Sequence, residues 1–133
     1  MTTTHTASGQ IGSATLTRLA AGLRGTVVLP GDAEYDQARS VWNGAHDRHP
    51  AVIVRCAGVS DVIHTVDLAR SEGLPLAVRG GGHSIPGFST LDGGILLDLS
   101  DMTGIEIRPG DRTVTAQAGC TCCLLYTSDA ADE

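Results

Sequence analysis

The sequence predicts an α+β chain, a small βαβ subdomain followed by mostly antiparallel strands. Two short apolar runs, Ala51-Val52-Ile53-Val54 and Leu76-Ala77-Val78, flank an amphipathic stretch that opens at Ser60. Continuous apolar runs mark strands covered on both faces, so the order reads strand, helix, strand. Past residue 94 the pattern shortens to apolar segments at 95–99, 105–107 and 113–116, separated by turn residues. Between the two halves lies a glycine-rich segment with no helical period.

Taken in order, the first twelve residues are rich in Thr and Ser and read as a polar, disordered leader. A short helix is expected over 14–23, because Leu16, Leu19, Ala20 and Leu23 fall on one stripe. Residues 26–29 read as a strand ended by Pro30-Gly31, after which Asp32 is expected to cap a helix carrying Tyr35, Ala38, Arg39 and Trp42. The strand at 51–54 leads to the helix from Ser60. In that helix Val62, Ile63, Val66 and Ala69 are expected to face the core, Asp61, His64, Asp67 and Ser71 to face water, and Gly73 to end it as C′. The next buried strand is 76–78, and the unit implies a right-handed crossover between parallel strands. Gly104 and Pro109-Gly110-Asp111 supply the later turns, and Thr113, Thr115 and Gln117 alternate with Val114 and Ala116 as in a half-buried strand.

The segment with the most chemistry is Arg79-Gly80-Gly81-Gly82-His83-Ser84, placed at a strand end. Glycines allow positive φ and close backbone approach, so successive N–H groups can converge on phosphate oxygens, and Arg79 can add charge. It is neither a Walker loop, which needs Lys and Ser or Thr after its last glycine, nor a dinucleotide fingerprint, which needs a glycine spaced to open a helix. Ile85-Pro86-Gly87 follows, and Pro86 disfavours helix before it. The segment therefore continues as loop. Spacing alone is also satisfied by a surface histidine in a glycine turn, or by a non-catalytic phosphate- or nucleotide-binding module.

Together with Gly94-Ile95-Leu96-Leu97-Asp98-Leu99-Ser100-Asp101-Met102 and Thr113-Val114-Thr115-Ala116-Gln117-Ala118-Gly119, this segment resembles the FAD-linked oxidases of the vanillyl-alcohol oxidase type. The branch it resembles is the berberine-bridge-enzyme-like one, over roughly residues 23–121. The resemblance implies the N-terminal part of a PCMH-type FAD-binding domain at 23–121, with its C-terminal part missing, and sets 1–22 apart as leader and first helix. It implies FAD contacts from Arg79, Gly80, Gly81, Gly82, His83 and Ser84, with Gly119, Cys120 and Thr121 on the ribityl and adenine side. It further implies a covalent bond from His83 to the flavin 8α-methyl. The intact enzyme would oxidise an alcohol, sugar or benzylic C–H by hydride transfer to FAD, with molecular oxygen as acceptor. The substrate domain and catalytic base of that family lie beyond this sequence, so no catalytic residue is assigned and the fragment itself is expected to be inactive. Trp42 and Asn43 match a pattern of the branch, but the reading preferred for them is a core-packing tryptophan with a helix-ending asparagine.

From Cys123 onward the sequence reproduces, residue for residue, one reading frame of a transposon end used in library preparation. A junction inside codon 122 accounts for Cys122, where the family has Trp. Residues 122–133 are therefore expected to be an adapter-derived tail, excluded from fold reasoning.

The 133 residues carry 41% hydrophobic and 18% charged side chains and a formal net charge of -6, enough for one domain with a core. The acidic balance, with no basic run, argues against a nucleic-acid partner. No stretch of about 18 apolar residues is present to cross a membrane, and without a secretory signal a cytoplasmic location is expected. Cys56 and Cys120 form no disulfide framework, and the Cys120, Cys122, Cys123 cluster lacks a second ligand pair, so no metal is expected. His46, His49 and His64 are expected to be solvated, and Asp98 and Asp101 to be strand-end or turn residues.

Overall fold

The computed structural model describes residues 10–130. The leader reading falls mostly on 1–9, and the end of the tail on 131–133, outside the described residues. The elements are α1 (Ser13–Ala21), β1 (Thr26–Val28), α2 (Tyr35–Arg39), β2 (Val52–Arg55), α3 (Val59–Glu72), β3 (Leu76–Arg79), β4 (Ile95–Asp98), β5 (Ile105–Arg108), β6 (Thr113–Ala116) and α4 (Cys122–Ala130).

β2, α3 and β3 form the expected βαβ unit, but β4 runs between the two strands. The sheet order is β1-β2-β4-β3, with β4 parallel to both neighbours and β1 antiparallel to β2. The sequence reading grouped 95–99 with the later strands. All four residues of β4 are instead buried, as a strand covered on two faces must be, and only β5 and β6 form an antiparallel pair. The whole is a mixed α+β arrangement.

Alternation along β2 and β4 divides the core between the two faces. Val52, Val54, Ile95 and Leu97 pack on one face with Leu19 of α1 and with Leu68 and Ala69 of α3. Ile53 and Leu96 pack on the other with Val28, Tyr35 and Ala38. Each aliphatic side chain so buried is worth about 1.5–3 kcal/mol. The Tyr35 hydroxyl donates to the Pro50 carbonyl at 2.6 Å, satisfying its polar end.

Several local expectations change. Asp32 does not cap α2; its Oδ2 accepts from the Leu29 amide at 2.8 Å, closing the turn after β1. α2 stops at Arg39, four residues before Asn43, and leaves Trp42 outside the core, 71% exposed. The inward stripe of α3 is Asp61, Thr65, Leu68 and Ala69, whereas Ile63 is 57% exposed. Asp61 faces inward because its carboxylate accepts from the amides of Arg24 (2.8 Å), Gly25 (2.9 Å) and Ala57 (2.8 Å). Burial opposes ionisation there, but the three amides outweigh it and hold the pKa below the ordinary value. Gly73 ends α3 in the left-handed conformation, φ 64°, as expected of C′. β6 is exposed throughout, so the half-buried reading of 113–117 fails on this hairpin. Val114 finds only Ile107, Leu125 and Tyr126 around an apolar hollow.

Candidate functional site

The C-terminal ends of the parallel strands carry one charged row. Register places Arg55 beside Asp98 and Asp98 beside Arg79. Arg79 Nη2 donates to Asp98 Oδ2 at 2.7 Å, and Arg55 Nε lies 3.9 Å from the same oxygen. Burial disfavours the Asp98 carboxylate, but the Arg79 hydrogen bond and charge and the Ser100 amide prevail and lower its pKa. Arg79 is itself buried, and its Nη1 donates to the Ser40 carbonyl at 3.1 Å. Its guanidinium thus ties the end of β4 to the segment after α2 rather than reaching outward.

The glycine loop leaves β3 directly above this row. No helix follows, and the chain remains irregular to the start of β4. Gly87 N donates to the Ser84 carbonyl at 3.1 Å and Phe88 N to Ser84 Oγ at 3.0 Å, which folds 84–88 into a turn. Among the described residues, the amide N–H groups from Gly80 to Ser84 donate to no hydrogen bond. A row of unspent donors at a strand end, with Gly82 at φ 72°, is the arrangement that receives phosphate oxygens.

The second group of candidate residues, which follows β4 in the chain, approaches the start of the glycine loop. A Cβ on Gly80 would lie 2.6 Å from the Ala118 carbonyl oxygen, and one on Gly119 would lie 2.2 Å from that of Leu99. Both glycines are therefore required by close backbone approach. Gly119 N donates to the Met102 carbonyl at 2.9 Å. Gly80 and the loop at 118–119 are thus brought together. Cys120 and Thr121 turn elsewhere: Cys120 Sγ lies 3.6 Å from the Gly104 carbonyl, and the Thr121 hydroxyl accepts from the Leu124 amide at 3.4 Å at the start of α4.

His83 is exposed and stacks on Trp42, with ring centroids 5.5 Å apart and planes 26° apart. Trp42 N donates to the Gly82 carbonyl at 3.1 Å. Next to it, Asn43 Oδ1 accepts from Ala45 N at 3.1 Å, and Asn43 Nδ2 and His46 Nε2 lie 3.4 and 2.8 Å from the Ile85 carbonyl. His46 is therefore half-buried against the loop instead of solvated. His64 likewise lies 3.2 Å from the Arg18 and Leu19 carbonyls. Ile85 and Phe88 of the same loop are also exposed, at 78% and 77%.

Sequence reasoning missed the Asp98–Arg79 pair, although a carboxylate closing an otherwise apolar strand was the available signal. Burial pushes the Cys56 thiol up to about 12, with Asp61 and Asp98 adding to the shift, so it is unreactive. All four cysteines are free. The described residues contain no group of three or more His, Cys, Asp or Glu able to hold a metal ion. No helix among them is long and apolar enough to cross a membrane.

Residues 50–128 match the family described as FAD binding domain. The chain is 41% identical over 85 residues to (R)-6-hydroxynicotine oxidase of Paenarthrobacter nicotinovorans, covering 64% of this chain and 19% of that protein. In three dimensions it resembles 6-hydroxy-D-nicotine oxidase from Arthrobacter nicotinovorans, with TM-score 0.78 and 35% identity, over 82% of this chain and 24% of that one. It resembles Physcomitrella patens BBE-like 1 with TM-score 0.82 and 27% identity, over 89% and 26%. The chain spans about a fifth of the length of the curated relatives it matches.

Proposed function

Since the chain belongs to the FAD binding domain family, we propose that it holds the diphosphate and the methyl-bearing edge of FAD for an oxidoreductase of which it is one part. The observation that carries this reading is the run of unspent amides from Gly80 to Ser84. Each amide can donate to a diphosphate oxygen without breaking a bond within the protein, so little reorganisation opposes binding. Gly119, in the loop that meets Gly80 through Ala118, extends the contact toward the ribityl and adenine portion, while Cys120 and Thr121 turn toward Gly104 and Leu124 and would reach the cofactor only by reorienting. Arg79 contributes by fixing the strand end from which the loop departs.

FAD, when bound, supplies a hydride acceptor whose electrons pass on to molecular oxygen. What this chain contributes is binding, orientation and tuning. His83, exposed at the loop apex, presents a ring nitrogen for covalent attachment to the cofactor. The substrate is a small molecule oxidised at an alcohol, sugar or benzylic C–H, and its binding surface and proton acceptor are supplied from outside these 133 residues. We read 23–121 as the FAD-binding portion and 122–133 as adapter-derived, which sequencing of the gene across codon 122 tests directly.

The decisive experiment is acid precipitation of the intact protein. Yellow colour is expected to stay with the wild-type precipitate and to pass into the supernatant for His83→Ala. Colour retained equally by both removes the covalent assignment, and a wild-type protein that binds no flavin removes the reading itself.

A further inference from the structure

We propose that Trp42 is a positioning residue for His83: its indole covers one face of the imidazole and restricts the ring to the orientation in which its nitrogens point outward from the glycine loop. The inference rests on the flavin reading above, and on geometry that is independent of it.

Trp42 does no work in the core. It is 71% exposed, so its packing contribution to the core is small and its ring contact is with the loop. What it touches is His83, in a stacked arrangement 5.5 Å between centroids. The backbone beneath the indole is held at three points: Arg79 Nη1 on the Ser40 carbonyl (3.1 Å), Trp42 N on the Gly82 carbonyl (3.1 Å), and Asn43 Nδ2 on the Ile85 carbonyl (3.4 Å). Two of these anchors are carbonyls of the loop that carries His83. The indole and the imidazole are therefore fixed to one another, although both stand in solvent.

An unsupported histidine in a glycine loop would sample several rotamers, and only some would aim a nitrogen at a bound ring. Stacking removes the rotamers that break the aromatic contact and leaves one imidazole face and its edge free. Attachment would form a bond from an imidazole nitrogen to the flavin 8α-carbon at the expense of one N–H and one C–H bond, and dioxygen would accept the two hydrogens and their electron pair, leaving as hydrogen peroxide. Trp42 takes no part in the bond changes; it raises the fraction of time that His83 is aligned for them.

One measurement with a conservative control tests this. With apoprotein of the intact enzyme and added FAD, Trp42→Ala is expected to slow the appearance of acid-stable flavin by about 2–10-fold, the range set by the worth of an aromatic pair. Trp42→Phe, which keeps a stacking face, is expected to restore most of the rate. A Trp42→Ala variant that attaches flavin as fast as wild type overturns the proposal while the flavin reading stands, whereas a wild type with no attached flavin overturns both.

Discussion

The four-stranded sheet and the β5–β6 hairpin are both built from strands of three or four residues, yet they stand at opposite extremes of burial. β4 is buried at every position and β6 at none. The difference lies in what covers them: α1 and α3 lie on one face of the sheet and α2 on the other, whereas the hairpin packs chiefly, among the described residues, against α4. Strand propensity is similar in the two regions, so the fold is anchored by layer packing and the hairpin follows. The candidate site draws its stiffness from the first region, since the glycine loop leaves β3 above the Arg55, Asp98, Arg79 row.

The sharpest way to break this contrast is at that row. Asp98→Ala would leave the buried Arg79 guanidinium without its carboxylate and is expected to cost about 3–5 kcal/mol in urea unfolding. A loss below about 1 kcal/mol would show that the row does not anchor the sheet. Next in size is Asp61→Ala, which strands three amide donors and is expected to cost about 1–3 kcal/mol. Asp61 and Asp98 both have pKa values lowered by folding. Their contribution is therefore complete above the unfolded value of about 3.9 and declines as pH falls below it through the folded values. Stability measured from pH 7 downward should hold to about pH 5 and then fall, and Asp61→Ala should reduce the fall. The smallest effect belongs to the hairpin: Val114→Thr is expected to change unfolding free energy by no more than about 0.5 kcal/mol. A larger loss would mean that the hairpin is part of the same cooperative unit as the sheet.

Legibility in the sequence follows the same division. Apolar runs and helical period gave β2, α3 and β3 within a residue or two, and the glycine loop was correctly read as continuing without helix. Those signals are local, and tertiary contact only reinforces them. The order of the strands was not legible, because nothing between Gly94 and Asp98 says which neighbours a buried strand will take. Charge misled at Asp61, which was read as solvated; its partners lie at Arg24, Gly25 and Ala57, two of them far off in sequence. Trp42 misled in the opposite sense, since size and apolarity suggested core while its neighbour is a loop histidine. In the site, the close approach of Gly80 to Ala118 was invisible in the chain because it joins segments on either side of β4.

Placing β4 between β2 and β3 has a consequence for the nascent chain. The two earlier strands leave the ribosome with no partner for their facing edges, and α3 can join them only loosely. β2 can already pair with β1, but it and β3 must wait for Ile95–Asp98, and for the whole glycine loop that precedes it, before they join one sheet. During that interval both apolar strands are open to pairing with other chains. A pause in translation ahead of codon 95 would therefore lower the yield of soluble protein more than a pause of equal length after codon 98.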